Sequence, residues 1–137
     1  MKSKIILVLI GLFCTCFSWS QKVVLQSPNQ KIEAALFAMD ANNKGEWYLK
    51  VSYNANKNTA EILPKVSLGL SRSDQDFSKE LIFLKASKPR LIKEHYTLPF
   101  GKKSVRENTA NEITISFENP SKAKLNLIVR AYNDGLT

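Results

Sequence analysis

The stretch Trp47-Tyr48-Leu49-Lys50-Val51-Ser52-Tyr53 alternates apolar and polar side chains with a period of two. Successive side chains of an extended strand point to opposite faces, so Trp47, Leu49, Val51 and Tyr53 share one face and Tyr48, Lys50 and Ser52 the other. The same pattern recurs further along. Glu112 to Phe117 sets Ile113, Ile115 and Phe117 against Glu112, Thr114 and Ser116. Leu125, Leu127, Val129 and Ala131 alternate with Asn126, Ile128, Arg130 and Tyr132, and Ile128 in the second set implies partial burial on both faces.

Weaker strands are expected at Val23–Gln26, Thr59–Leu63, Val66–Leu70, Leu81–Lys85 and Ile92–Leu98, each flanked by Pro, Gly, Asn, Asp or Ser that can turn the chain. Lys31 to Met39 fits two readings, because Ile32, Ala35, Leu36 and Met39 also fall at helical spacing. The strand is preferred, since Ser27-Pro28-Asn29-Gln30 before it reads as a hairpin turn. Short strands separated by turns predict an all-β antiparallel fold, two sheets packed face to face. Ser71 to Lys79, with Arg72, Asp74, Asp76 and Lys79, reads as a solvated surface loop.

Lys2 and Lys4 precede an apolar stretch from Ile5 to Phe17, which Ser18-Trp19-Ser20 follows. This has the three parts of a secretory signal peptide and is too short to span a membrane, so residues 1–20 are read as a cleaved segment and 21–137 as one domain. A lipid anchor on Cys14 or Cys16 is the rival, but Phe13 and Thr15 are not the small residue such a site places before its cysteine. Both cysteines lie in this segment. The exported part therefore excludes disulfides, thiolate metal sites and cysteine nucleophiles, and its hydrophobic core must hold it.

The whole chain has 137 residues and a formal charge of +8. A full-size barrel needs about 250 residues, so none fits. The positive balance raises a polyanion-binding, envelope-associated reading, yet the lysines are scattered rather than interleaved with aromatics as nucleic-acid platforms require. No nucleic acid is expected as partner, and no membrane after cleavage of the signal. Lys102, Lys103 and Arg106 form a basic turn; Gly101-Lys102-Lys103-Ser104 is no phosphate loop, because Tyr96 stands where the first glycine belongs.

Catalytic parts are missing by the same scrutiny. His95 is the lone histidine, which rules out a histidine metal cluster and reads as a surface or half-buried strand residue. No Gly-x-Ser-x-Gly elbow presents a nucleophile. Glu112 and Glu118 bracket a strand about 20 Å apart, too far for a glycosidase pair, and read as outward strand-end charges. No catalytic, metal or cofactor-binding residue is assigned. Tyr48, taken to face outward, is the one candidate for carbohydrate contact.

The order of motifs resembles the N-terminal domain of glycoside hydrolase family 97. The resemblance rests on Ser27-Pro28-Asn29-Gln30-Lys31-Ile32, Trp47 to Tyr53, Val66-Ser67-Leu68-Gly69-Leu70 and Ile92-Lys93-Glu94-His95-Tyr96. Gly101-Lys102-Lys103, Asn108 to Ile113 and Arg130-Ala131-Tyr132-Asn133-Asp134-Gly135 then follow in order. Phe100 departs from it, since many members carry Trp near this loop, and leaves the subgroup open.

The resemblance implies a sandwich related to galactose mutarotase-like folds, which in complete enzymes precedes a catalytic (β/α)₈ barrel and a small β domain. Family members cleave α-linked glucosides or galactosides in the periplasm of Gram-negative bacteria and use calcium. The catalytic carboxylates and most calcium ligands lie in the barrel, and a further glutamate of the N-terminal domain lies beyond Thr137. By this reading the chain is a truncated, non-catalytic domain, periplasmic or secreted, whose partners are the barrel and an oligosaccharide. Its fold is incomplete at the C-terminal end, because the hairpin turn at Asp134-Gly135 lacks its second strand and leaves Leu125–Tyr132 an unpaired edge. The alternative is a freestanding carbohydrate-binding module.

Overall fold

Side chains that alternate in and out can be buried only if two such faces meet, and the chain solves this with antiparallel strands alone. A computed structural model describes residues 21–39, 44–55, 58–99 and 105–137. Residues 1–20 with Cys14 and Cys16, read from the sequence as a signal peptide, and Phe100, Gly101, Lys102 and Lys103 lie outside the described residues. The strands are β1 (Gln21–Gln26), β2 (Ile32–Ala38), β3 (Lys44–Gly45), β4 (Trp47–Ala55) and β5 (Asn58–Ser67). They continue with β6 (Leu81–Ala86), β7 (Arg90–Thr97), β8 (Val105–Glu118) and β9 (Lys124–Tyr132).

The first sheet has the order β1-β2-β4-β5. The second runs β3-β6-β8-β7, with β9 also paired to β8. β6 and β7 lie end to end along one edge of the long strand β8, and β9 occupies the other. Between them Pro89 has no N–H to give. Ser87 stitches the gap: its N–H donates to the Thr114 carbonyl at 2.8 Å, and its hydroxyl oxygen accepts the Thr114 N–H at 3.0 Å.

Trp47, Ile113, Ile115, Phe117, Val129 and Ala131, from the faces predicted by alternation, lie in the core, joined by Leu25 and Leu36 and without Tyr53, which is only partly buried. Leu36, Trp47 and Leu25 from the first sheet meet Ile113, Ile115, Phe117, Val129 and Ala131 from the second. Trp47 is fully buried, its ring 5.5 Å from Phe83 and 5.3 Å from Phe117, and its indole N–H donates to the Leu81 carbonyl at 3.0 Å. Within Lys31 to Met39 the chain forms the strand β2, Ile32–Ala38, as the turn before it required. Ser27 fixes that turn: its hydroxyl oxygen accepts the Ile32 N–H, its hydroxyl donates to Asn29 Oδ1, and Gln30 takes a φ of 60°.

Several expectations are corrected. The candidates Thr59–Leu63 and Val66–Leu70 are one strand, β5, whose register slips between Leu63 and Val66 so that Pro64 escapes the ladder. Leu68 to Leu70 have left the sheet. Ile128 is exposed, because nothing among the described residues covers the outer face of β9 at that point. At Asn133-Asp134 the chain does reverse, and Thr137 exchanges backbone hydrogen bonds with Arg130 at 2.7 and 2.9 Å. The first pairs of the expected missing strand are thus formed, with Leu136 bridged to Ala131.

The loop from Ser71 to Lys79 is polar and mostly exposed, but it is not simply solvated. Phe77 points into the core and is 4 % exposed. Asn119, buried in the β8–β9 turn, donates from its side chain to Gln75 Oε1 and the Asp76 carbonyl, so the loop is tied down beside its anchor. Removing the ring leaves a cavity, and Phe77→Ala is expected to lower stability by about 3 to 5 kcal/mol in urea unfolding. A loss below about 1 kcal/mol would return the segment to a solvated loop.

Candidate functional site

Glu112 is not a strand-end charge. β8 runs fourteen residues, so Glu112 lies well inside it, on the outer face of the second sheet. The register sets Arg90 of β7 and Arg130 of β9 directly opposite on either side. Arg90 donates through Nε (2.8 Å) and Nη2 to Glu112 Oε1, and Arg130 donates through Nε to Oε2 at 2.7 Å. Held this way the carboxylate side chain is only 4 % exposed. Glu118, at the strand end, pairs instead with Lys122 at 3.1 Å.

A second carboxylate joins the cluster from the far side of β8. Arg130 Nη1 donates to Glu94 Oε1, and the Tyr132 hydroxyl donates to Glu94 Oε2, both at 3.0 Å. The residue of β8 that separates Tyr132 from β7 is Ala110, opposite Ile92, and it is fully buried. Its single methyl group leaves room for the two long side chains to cross β8. The result is a network over three strands, Arg90, Glu94, Glu112, Arg130 and Tyr132, with two positive and two negative groups.

The hydrogen bonds from Arg90, then those from Arg130, hold the Glu112 carboxyl below its ordinary range, against the opposing effect of burial. Glu112 in turn holds the Arg130 guanidinium above its ordinary range. A carboxyl kept ionised behind two guanidiniums is a poor proton donor near neutral pH. The arrangement suits fixed hydrogen-bonding groups rather than acid catalysis.

The other residues singled out in the sequence stand apart. Tyr48 lies on the face opposite Trp47, as alternation required, but it is 3 % exposed rather than open to solvent. Phe37, its cross-strand partner, stacks on it at 5.4 Å, and the Lys65 ammonium sits 5.2 Å from its ring centre. Its hydroxyl is buried without a hydrogen bond among the described residues. His95 is exposed on β7, with Nδ1 3.2 Å from Glu107 Oε1. Among the described residues no group of three His, Cys, Asp or Glu could hold a metal ion, and no helix is long and apolar enough to cross a membrane.

Residues 25–137 match the family described as glycosyl-hydrolase 97 N-terminal. The chain belongs to that family. A β-arabinopyranosidase crystal structure is 30 % identical, with a TM-score of 0.71 over 85 % of this chain and 17 % of that one. A glycoside hydrolase family 97 enzyme from Pseudoalteromonas sp. strain K8, solved with acarbose, is 19 % identical, with a TM-score of 0.65 over 83 % of this chain and 16 % of that one. The same organism's enzyme with panose gives 17 % identity and a TM-score of 0.64 over the same shares. The chain thus spans about a sixth of the length of these solved structures. No curated protein matches it.

Sequence reasoning missed the network of this family 97 N-terminal domain. Arg90, Ile92 and Glu94 alternate onto one face of β7, as Arg130 and Tyr132 do on β9, but only the register brings them to Glu112. A depressed folded-state pKa gives stability that is full above the unfolded value, near 4.5, and is lost as pH falls through the lower folded value. The urea midpoint is therefore expected to fall on acidification below that unfolded value, and less steeply in Glu112→Gln. Parallel pH profiles would show that the ion pairs contribute nothing to stability.

Proposed function

We propose that this domain serves as the non-catalytic N-terminal sandwich of a periplasmic family 97 glycoside hydrolase, packing on the catalytic barrel and shaping the rim of its active site. The observation that carries the reading is apolar surface left uncovered, at two points of the β7–β8 ribbon separated by the polar pairs Lys93–Thr109 and His95–Glu107, and in a cleft between the sheets. Leu91 and Val105 are 58 % and 61 % exposed, on the side where Asn111 reaches the Gln26 carbonyl of the first sheet. Beyond that contact the described residues place nothing over them. An open apolar cleft of about 260 Å³, lined by Leu68, Leu70, Leu81, Phe117, Leu125 and Leu127, adds a second uncovered surface between the sheets.

The chain supplies shape, and the barrel supplies the acids that break the glycosidic bond. Calcium belongs to the barrel in this reading, and residues 1–20 direct export. Purified protein is expected to release no sugar from aryl α-glucosides or α-galactosides, and release free of contaminating hydrolase would overturn the proposal. In an enzyme carrying this domain and its barrel, Leu91→Asp with Val105→Asp is expected to lower kcat/KM about tenfold. Unchanged kinetics in that double variant would count equally against it.

A further inference from the structure

The outer face of β7, β8 and β9 holds more hydrogen-bonding capacity than the fold uses. Arg90 directs two of its five N–H groups to Glu112, yet its side chain is 72 % exposed. Arg130 directs one N–H to Glu112 and one to Glu94, and both it and Glu94 remain more than a third exposed. Each Glu94 oxygen accepts one bond in the network and keeps a further lone-pair site. Donors and acceptors therefore lie side by side at the surface, held by one another.

We propose that this face is a binding subsite for a neutral oligosaccharide, seated on Arg90, Glu94, Arg130 and Tyr132. Charge balance among these four residues and Glu112 selects the ligand class, with Arg106 standing across from Tyr96 at the far end of the face. An anion drawn to the guanidiniums meets Glu94, and a cation drawn to Glu94 meets Arg90 and Arg130. A neutral polyol carries hydroxyls that both donate and accept, so it can engage both groups at once. Because the side chains are already fixed by their mutual bonds, less ordering remains to be done on binding.

Aromatic surface is available beside the polar groups. Tyr96 follows Glu94 by two residues, shares its face of β7 and is exposed. From Arg90 to Tyr96 the strand extends about 20 Å, and an aromatic ring offers its flat face to the C–H side of a sugar ring. Leu91 and Val105 point to the opposite side of the same ribbon. The subsite thus goes beyond the barrel-packing role and does not compete for its surface.

Amide NMR titration of the protein with maltotriose, xylotriose and galactobiose, each neutral, tests the proposal, with trigalacturonate as the anionic comparison. The expected result is saturable shifts in Arg90–Tyr96 and Lys124–Tyr132 for at least one neutral probe, with a Kd of about 1 mM that salt leaves unchanged. Arg90→Ala and the isosteric Glu94→Gln are each expected to raise that Kd about fivefold, and Lys65→Ala, on the other sheet, to leave it alone. If Arg90→Ala does not fold, Glu94→Gln alone gives the reading. No saturation by any neutral probe at about 50 mM would overturn the proposal. So would shifts confined to β2 and β4, or tighter, salt-sensitive binding of trigalacturonate. Sugar binding of this kind is read independently of barrel kinetics, so either proposal can fail alone.

Discussion

The two sheets are held to one another by the indole of Trp47. It fills the space between them, packs against Phe83 and Phe117 of the second sheet, and gives its N–H to the backbone of Leu81. A buried indole N–H without an acceptor costs about 1 to 3 kcal/mol, so the bond fixes where β6 must lie against β4 as well as how tightly. Once those two strands are set, β8 follows by pairing with β6, and β7 and β9 follow by pairing with β8. With no cysteine beyond Cys16, the sandwich depends on such a packed centre, since no disulfide shares the task.

Local alternation made much of this readable. The run from Trp47 to Tyr53 and the inward set Ile113, Ile115 and Phe117 needed no knowledge of partners, because burial on one face of a strand leaves its mark on that strand alone. The choice between strand and helix for Lys31 to Met39 was decided by the neighbouring turn, where Ser27 and Asn29 close the backbone with their side chains. The family resemblance and the antiparallel sandwich were legible for the same reason, as ordered local signals.

What escaped the sequence depends on pairs of strands. Glu112 is an outward residue by its own strand's period, and only the arrival of Arg90 and Arg130 on either side buries it. Tyr48 is likewise outward by parity, but Phe37 and a lysine from the irregular edge strand cover it. Phe77 sits among charges in sequence and gave no period to follow, while Asn119, far along the chain, holds its loop in place. Register and long-range closure decide such positions, and neither is written in spacing along a single segment.

The interruption at Ser87-Lys88-Pro89 has a dynamic consequence. β8 is continuous, but the strand along that edge is broken, and β9 reaches no further than Ala110. The two-stranded ribbon of Lys93–Thr97 with Val105–Thr109 is therefore joined to the body by β7, by β8 and by side chains crossing β8, with little core beneath its tip. Fraying of this two-stranded projection can proceed as a sub-global unit, its amides exchanging with solvent hydrogen faster than those of Ile113 to Phe117, while the sandwich around the indole stays closed.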